Sequence, residues 1–70
     1  MNDSRVYKMI ELTGCASTSI EDAIQAAVTK ASKTVRRMRW FEVVEIRGAI
    51  NEDQVAEWQV TLKVGFTIED

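Results

Sequence analysis

Gln54-Val55-Ala56-Glu57-Trp58-Gln59-Val60-Thr61-Leu62-Lys63-Val64-Gly65-Phe66-Thr67-Ile68 is the stretch that decides the fold. Ala56, Trp58, Val60, Leu62, Val64, Phe66 and Ile68 fall at every second position, with Glu57, Gln59, Thr61, Lys63 and Thr67 between them. Successive side chains of a strand point to opposite faces of its sheet, so this period of two describes a long strand with one apolar and one polar face. The chain contains no proline, so nothing of that kind interrupts a hydrogen-bonded ladder.

Working outward, Asn51-Glu52-Asp53 forms a short polar turn that joins this strand to a second one, Trp40 to Ile50. Within the second strand Val44 and Ile46 share the parity of Trp40, whereas Phe41, Val43, Glu45 and Arg47 share the other. Keeping the apolar faces together limits the hairpin register, because a slip of one residue turns every side chain over. One allowed register sets Glu45 opposite Gln59 and Arg47 opposite Glu57. It gathers Glu45, Arg47, Gln59, Thr61 and Lys63 on the face away from the helix, with Phe41 and Val43 among them.

The helix is predicted from about Ile20 to about Met38, with Ile20, Ala23/Ile24, Ala27/Val28, Ala31, Val35 and Met38 as its buried stripe. Ser17, Thr18 and Ser19 are all possible N-caps, and Thr18-x-x-Glu21 fits a capping box. Glu21 and Asp22 sit in the first turn, while Lys30, Lys33, Arg36, Arg37 and Arg39 crowd the last half and its surroundings, which complements the helix dipole. Ahead of the helix, Arg5 to Thr13 reads as a strand and Gly14 to Ser19 as a turn. The order is β-α-β-β: an α+β fold with one three-stranded antiparallel sheet and one helix, a single domain over residues 1–70. One helix covers only one face of such a sheet. The other face suits a second copy, a ligand, or both, so assembly is expected.

Seventy residues lie near the lower limit for a chain that folds alone. A single Cys excludes an intramolecular disulfide, and without His a protein-built zinc or iron site is not expected. Packing and oligomerisation are left to supply stability. A net charge of −2 gives no general attraction to nucleic acid or to an anionic membrane. Met1-Asn2-Asp3-Ser4-Arg5-Val6 has no apolar signal core and no stretch is long enough to span a bilayer, so the cytoplasm is the expected location.

Trp40 opens the second strand directly behind basic residues. Taken alone, such a tryptophan more often plugs a corner of the core than stacks on a ligand. Trp58, on the apolar face of the alternating strand, is read as core or subunit interface. Gln59 can donate and accept at once, yet is more often a solvated or cross-strand partner. Arg47 has two readings, an exposed pair with Glu57 or a forked phosphate donor. Glu45 reads equally as a solvated neighbour. The glycines form neither a dinucleotide fingerprint nor a P-loop, and Gly48 and Gly65, lying within strands, mark a bend, a bulge or a close backbone approach. Cys15 has no His beside it and no carboxylates pair for acid–base work, so a binding protein, not an enzyme, is expected.

The run Trp40-Phe41-Glu42-Val43 … Glu45-Ile46-Arg47-Gly48, together with Gln59-Val60-Thr61-Leu62-Lys63-Val64-Gly65-Phe66 and the helical Ala-Ile-Gln-Ala-Ala, resembles the dodecin family over essentially the whole chain. The resemblance implies a sheet wrapped partly around its helix, and twelve protomers assembled into a hollow shell. It implies flavin binding, with FMN favoured in many bacterial members and riboflavin or lumichrome in archaeal ones. Two rings stack between symmetry-related tryptophans, the family tryptophan falling on Trp40, the ring-contacting glutamine on Gln59, the phosphate-approaching arginine on Arg47, and an archaeal carboxylate on Glu45. A second family arginine, in Gly-Phe-Arg, is replaced by Thr67, and the usual Gly-Thr-Ser turn reads Gly14-Cys15-Ala16. Some bacterial members bind coenzyme A, for which Lys30 and Lys33 are the candidates. The expected function is a flavin-storing, buffering and photoprotective homo-dodecamer whose pocket exists only in the assembled protein; the alternatives are a coenzyme A-binding assembly and a purely structural one.

Overall fold

A computed structural model describes residues 4–68; the reading of Met1, Asn2 and Asp3 lies outside the described residues. The elements are β1 (Tyr7–Ala16), α1 (Ile20–Ala31), β2 (Met38–Asn51) and β3 (Gln54–Thr67). The sheet order is β1-β3-β2 with both neighbours antiparallel. The alternating strand is therefore the central one, flanked on both sides. Its even-numbered residues Val60, Leu62 and Val64 are fully buried and meet Ala23 and Ala27 of α1. Small residues on the helix let its axis come close, and Ile10, Leu12, Ile20, Ile24, Val28, Met38 and Trp58 close the rim of this core.

α1 stops at Ala31, not near Met38. Ser32 caps it, its N–H donating to the Val28 carbonyl at 2.9 Å and its hydroxyl to the Thr29 carbonyl at 2.6 Å, while the next N–H, of Lys33, donates to the Lys30 carbonyl. Ser and Thr offer the backbone such local alternatives to helix, and Arg37 takes a φ of 63°, outside the helical region. Val35 and Met38 thus do not extend the helical stripe. Of the basic residues only Lys30 lies in the last turn, while Lys33, Arg36 and Arg37 sit on the connection and Arg39 on β2.

Gly14 is not a turn residue. β1 runs on through Gly14-Cys15-Ala16, and a Cβ at Gly14 would overlap the Ala23 carbonyl oxygen and lie 2.9 Å from Ala27 Cβ. The glycine is where the helix backbone meets the sheet. The N-cap is Ser19, one residue later than Thr18: its Oγ accepts from the Asp22 N–H at 3.0 Å, while the Asp22 carboxylate accepts from the Thr18 hydroxyl, so the Thr18-x-x-Glu21 box does not form.

The hairpin register also differs from the expected one. Glu52 and Asp53 both take positive φ (53° and 65°), forming a two-residue connection of the kind that matches strand twist. Glu45 then pairs with Thr61 and Arg47 with Gln59, each two residues from the expected partner. The strand is irregular between Met38 and Trp40, Val43 and Glu45, and Ala49 and Ile50. At the second irregularity Val44 is an extra residue in β2, a bulge that reverses the parity on one side of it. Trp40 and Glu42 consequently share the outer face with Glu45 and Arg47, whereas Phe41, Val43 and Ile46 turn to the helix side. The simple alternation placed Trp40, Phe41 and Val43 the other way and Glu45, Ile46 and Arg47 as they are found.

The chain measures 59 × 21 × 14 Å with a radius of gyration of 14.8 Å, against about 11 Å for a compact domain of this length. α1 packs on β1 and β3. The apolar residues of β2 on the helix side, Phe41, Val43 and Ile46, remain exposed.

Candidate functional site

Residues paired across antiparallel strands share a face. The outer face, away from α1, therefore carries Met9–Gly65–Trp40 in one row, Glu11–Lys63–Glu42 in the next, then Thr13–Thr61–Glu45, and Cys15–Gln59–Arg47. The Trp40 indole lies over Gly65. A Cβ there would be 2.7 Å from Cη2 and nearer still to Cζ2 and Cε2, closer than real Cβ atoms come. Trp40 keeps 39% exposure, so it does not plug the core; Trp58 packs against the core instead. Tyr7, paired with Thr67 on the opposite side of β3, meets Trp40 with ring centroids 5.9 Å apart at 64°.

At the other end of the face Arg47 Nη2 donates to Glu45 Oε1 at 2.7 Å, both side chains about half exposed. An exposed pair of this kind contributes only about 0–1 kcal/mol, so its partners exchange readily for a ligand. Gln59 Nε2 donates to Glu57 Oε1 at 2.9 Å, and the Thr13 and Thr61 hydroxyls share a 2.8 Å hydrogen bond. The fold thus brings Glu45, Arg47 and Gln59 together. It keeps Trp40 apart from them: Gly65 and Gln59 are six residues apart along β3, roughly 20 Å at strand rise.

Lys30 and Lys33 are exposed and line neither of two surface hollows. The larger, about 410 Å3, is bordered by Lys8, Arg36, Arg37, Phe66 and Thr67, and Thr67 Oγ1 is a buried hydroxyl with no hydrogen-bond partner. The smaller, about 180 Å3, runs from Trp40 past Arg39 and Phe41 to Val28 and Val64. Sequence reasoning missed Tyr7, Lys8 and the Thr67 hydroxyl. The one available signal was Gly65, an in-strand glycine marking close approach, though the sequence did not say by what. Among the described residues no group of three or more His, Cys, Asp or Glu is placed to hold a metal ion, and no helix is long and apolar enough to cross a membrane.

The family model for Dodecin matches residues 6–69. The chain belongs to the dodecin family. A dodecin of Thermus thermophilus is 53% identical over 66 residues, covering 94% of this chain and 96% of the relative. The structure of the dodecin of Streptomyces coelicolor superposes with a TM-score of 0.91 at 42% identity, covering 99% of each chain. A more distant structure, described as a calcium dodecin with a novel calcium-binding site from Mycobacterium tuberculosis, has a TM-score of 0.78 at 31% identity, covering 91% of each chain. The β-α-β-β fold with its three-stranded antiparallel sheet is thus the dodecin fold, and the exposed β2 face and elongated protomer are consistent with a family of assembling proteins.

Proposed function

We propose that this dodecin binds flavin, FMN or riboflavin, and serves as a flavin store, buffer and photoprotectant, without catalysis. The observation that carries this reading is the indole of Trp40, seated on Gly65 with an exposed surface and sharing a face with Gln59, Arg47 and Glu45. An indole is electron-rich and an isoalloxazine electron-poor, so stacking favours both binding and rapid electron transfer that dissipates the excited flavin. Since the Trp40 and Gln59 ends are roughly 20 Å apart in one protomer, a single ring touching both residues draws them from different protomers of the shell, a dodecamer as in the resemblance. Arg47 is the phosphate donor, and Thr67 removes the second arginine, which narrows the preference for FMN over riboflavin. Extraction of the purified protein, with released chromophores identified by absorbance and mass, tests the ligand. Trp40→Ala is expected to abolish most flavin-fluorescence quenching; full quenching in that variant refutes the reading. Folded monomers that still quench flavin refute the shared pocket.

A second reading, a phosphate-bearing ligand such as coenzyme A, is favoured by the 410 Å3 hollow with Lys8, Arg36 and Arg37 at its border. Lys30 and Lys33 lie outside that hollow. Calorimetric titration with coenzyme A separates the two: tight binding abolished by Arg36→Ala supports it, and no heat removes it. If neither ligand binds, the assembly is structural. Calcium, named for the distant relative, has no cluster of acidic groups to receive it among the described residues.

A further inference from the structure

We infer that Tyr7 is a positioning residue for the site, holding the Trp40 indole in the one orientation that presents its open face to a ring ligand. The inference rests on the flavin reading above. Trp40 and Tyr7 stand on the two strands that flank β3, and their direct partners on β3 are Gly65 and Thr67. Two strands separated by a third lie about 10 Å apart, a gap that two large side chains close only by leaning inward over the strand between. Gly65 leaves that space empty, and the indole fills the volume a Cβ would take. Tyr7 then stops the indole from swinging further, meeting it at 64° in the edge-on arrangement that aromatic quadrupoles prefer.

Tyr7 is 42% exposed and is not among the residues packed on the core cluster, so the fold does not depend on it. What depends on it is the freedom of Trp40. An indole fixed before binding loses no rotamer entropy when the ligand arrives, which is the basis of preorganised recognition. Thr67, beside Tyr7 in the ladder, carries a hydroxyl with no partner, so no hydrogen bond from there substitutes for the ring contact.

The test uses the full-length assembled protein in a Trp58→Phe background, so that Trp40 is the sole indole, with Tyr7→Leu, Tyr7→Val and Tyr7→Phe added. In the ligand-free protein, Leu or Val is expected to raise acrylamide quenching of Trp40 about twofold and to flatten its near-UV dichroism. Riboflavin affinity is expected to fall about tenfold, equivalent to about 1.4 kcal/mol. Tyr7→Phe, which keeps the ring, is expected to restore both. Leu and Val variants that match the parent in both measurements overturn the inference, as does a Phe variant that falls with them. A parent that binds no riboflavin defeats the flavin reading, and the acrylamide measurement still decides the role of Tyr7.

Discussion

Gly65→Ala separates ligand binding from folding more cleanly than removal of the tryptophan. The added methyl meets Cη2 of Trp40 at 2.7 Å, with Cζ2 and Cε2 closer. The indole has to move by roughly one to two ångströms to regain ordinary contact. Its side chain can do so, because Trp40 is exposed on a flanking strand, whereas β3 is held on both sides and cannot retreat. The variant loses the Tyr7–Trp40 contact, worth about 0.5–1.5 kcal/mol, and gains about 0.5–1 kcal/mol from replacing glycine within a strand. Net stability therefore stays within about 1 kcal/mol of the parent. Aromatic stacking of a planar base contributes about 1–3 kcal/mol, so a lifted indole weakens flavin binding between about 5-fold and 150-fold. Fluorescence titration with riboflavin, run beside thermal unfolding of the same samples, measures both. Binding within twofold of the parent refutes the argument, and so does a loss of binding that simply follows a loss of fold.

Gly14→Ala is expected to do the reverse. Its methyl meets the Ala23 carbonyl of the helix backbone, which has no side-chain freedom to yield; stability should fall by about 1–3 kcal/mol, and an unchanged thermal midpoint sinks the account of Gly14 as the helix–sheet contact. Thr67→Val removes a buried hydroxyl that has no partner, so it should be neutral or stabilising by up to about 1 kcal/mol in urea titration; a clear loss would reveal a partner supplied by another protomer. Arg47→Ala breaks an exposed pair with Glu45, so stability should change by less than about 1 kcal/mol, while FMN affinity falls more than riboflavin affinity; equal losses for the two flavins contradict a phosphate contact.

Much of this fold was legible because β3 lies at the centre of the sheet. Val60, Leu62 and Val64 are buried and Trp58 packs against them, so the period of two carried the arrangement plainly. The second strand was harder for a physical reason: every residue from Trp40 to Ile46 suits a strand, so no composition change marks Val44 as the extra one. The face of Trp40 was therefore misassigned while Glu45, Arg47 and Gln59, all on the same side of the bulge, were placed together. The helix end was obscured because Val35 and Met38 continue the apolar spacing by coincidence, whereas Ser32, Thr34 and the left-handed Arg37 decide it locally. Tyr7 became visible only with the strand order, since nothing in the sequence places β1 and β2 on either side of Gly65.

The bulge at Val44 joins two properties that otherwise look unrelated. By reversing parity it turns Trp40 outward onto the face of Gln59 and Arg47, and it turns Phe41 and Val43 toward the helix side, where α1 does not reach them. A regular strand would have exposed Phe41 and Val43 beside the polar residues and set Trp40 against the helix side. The same extra residue thus creates the ring platform and the uncovered apolar strip. Among the described residues, on a chain 59 Å long and 14 Å thick, no other part of the protomer covers this apolar strip. On the proposed function, burial of this strip by a second copy is also what would bring another Trp40 or Gln59 within reach of one ligand. The proposed function therefore makes site formation and assembly one event, set by a single residue's insertion into β2.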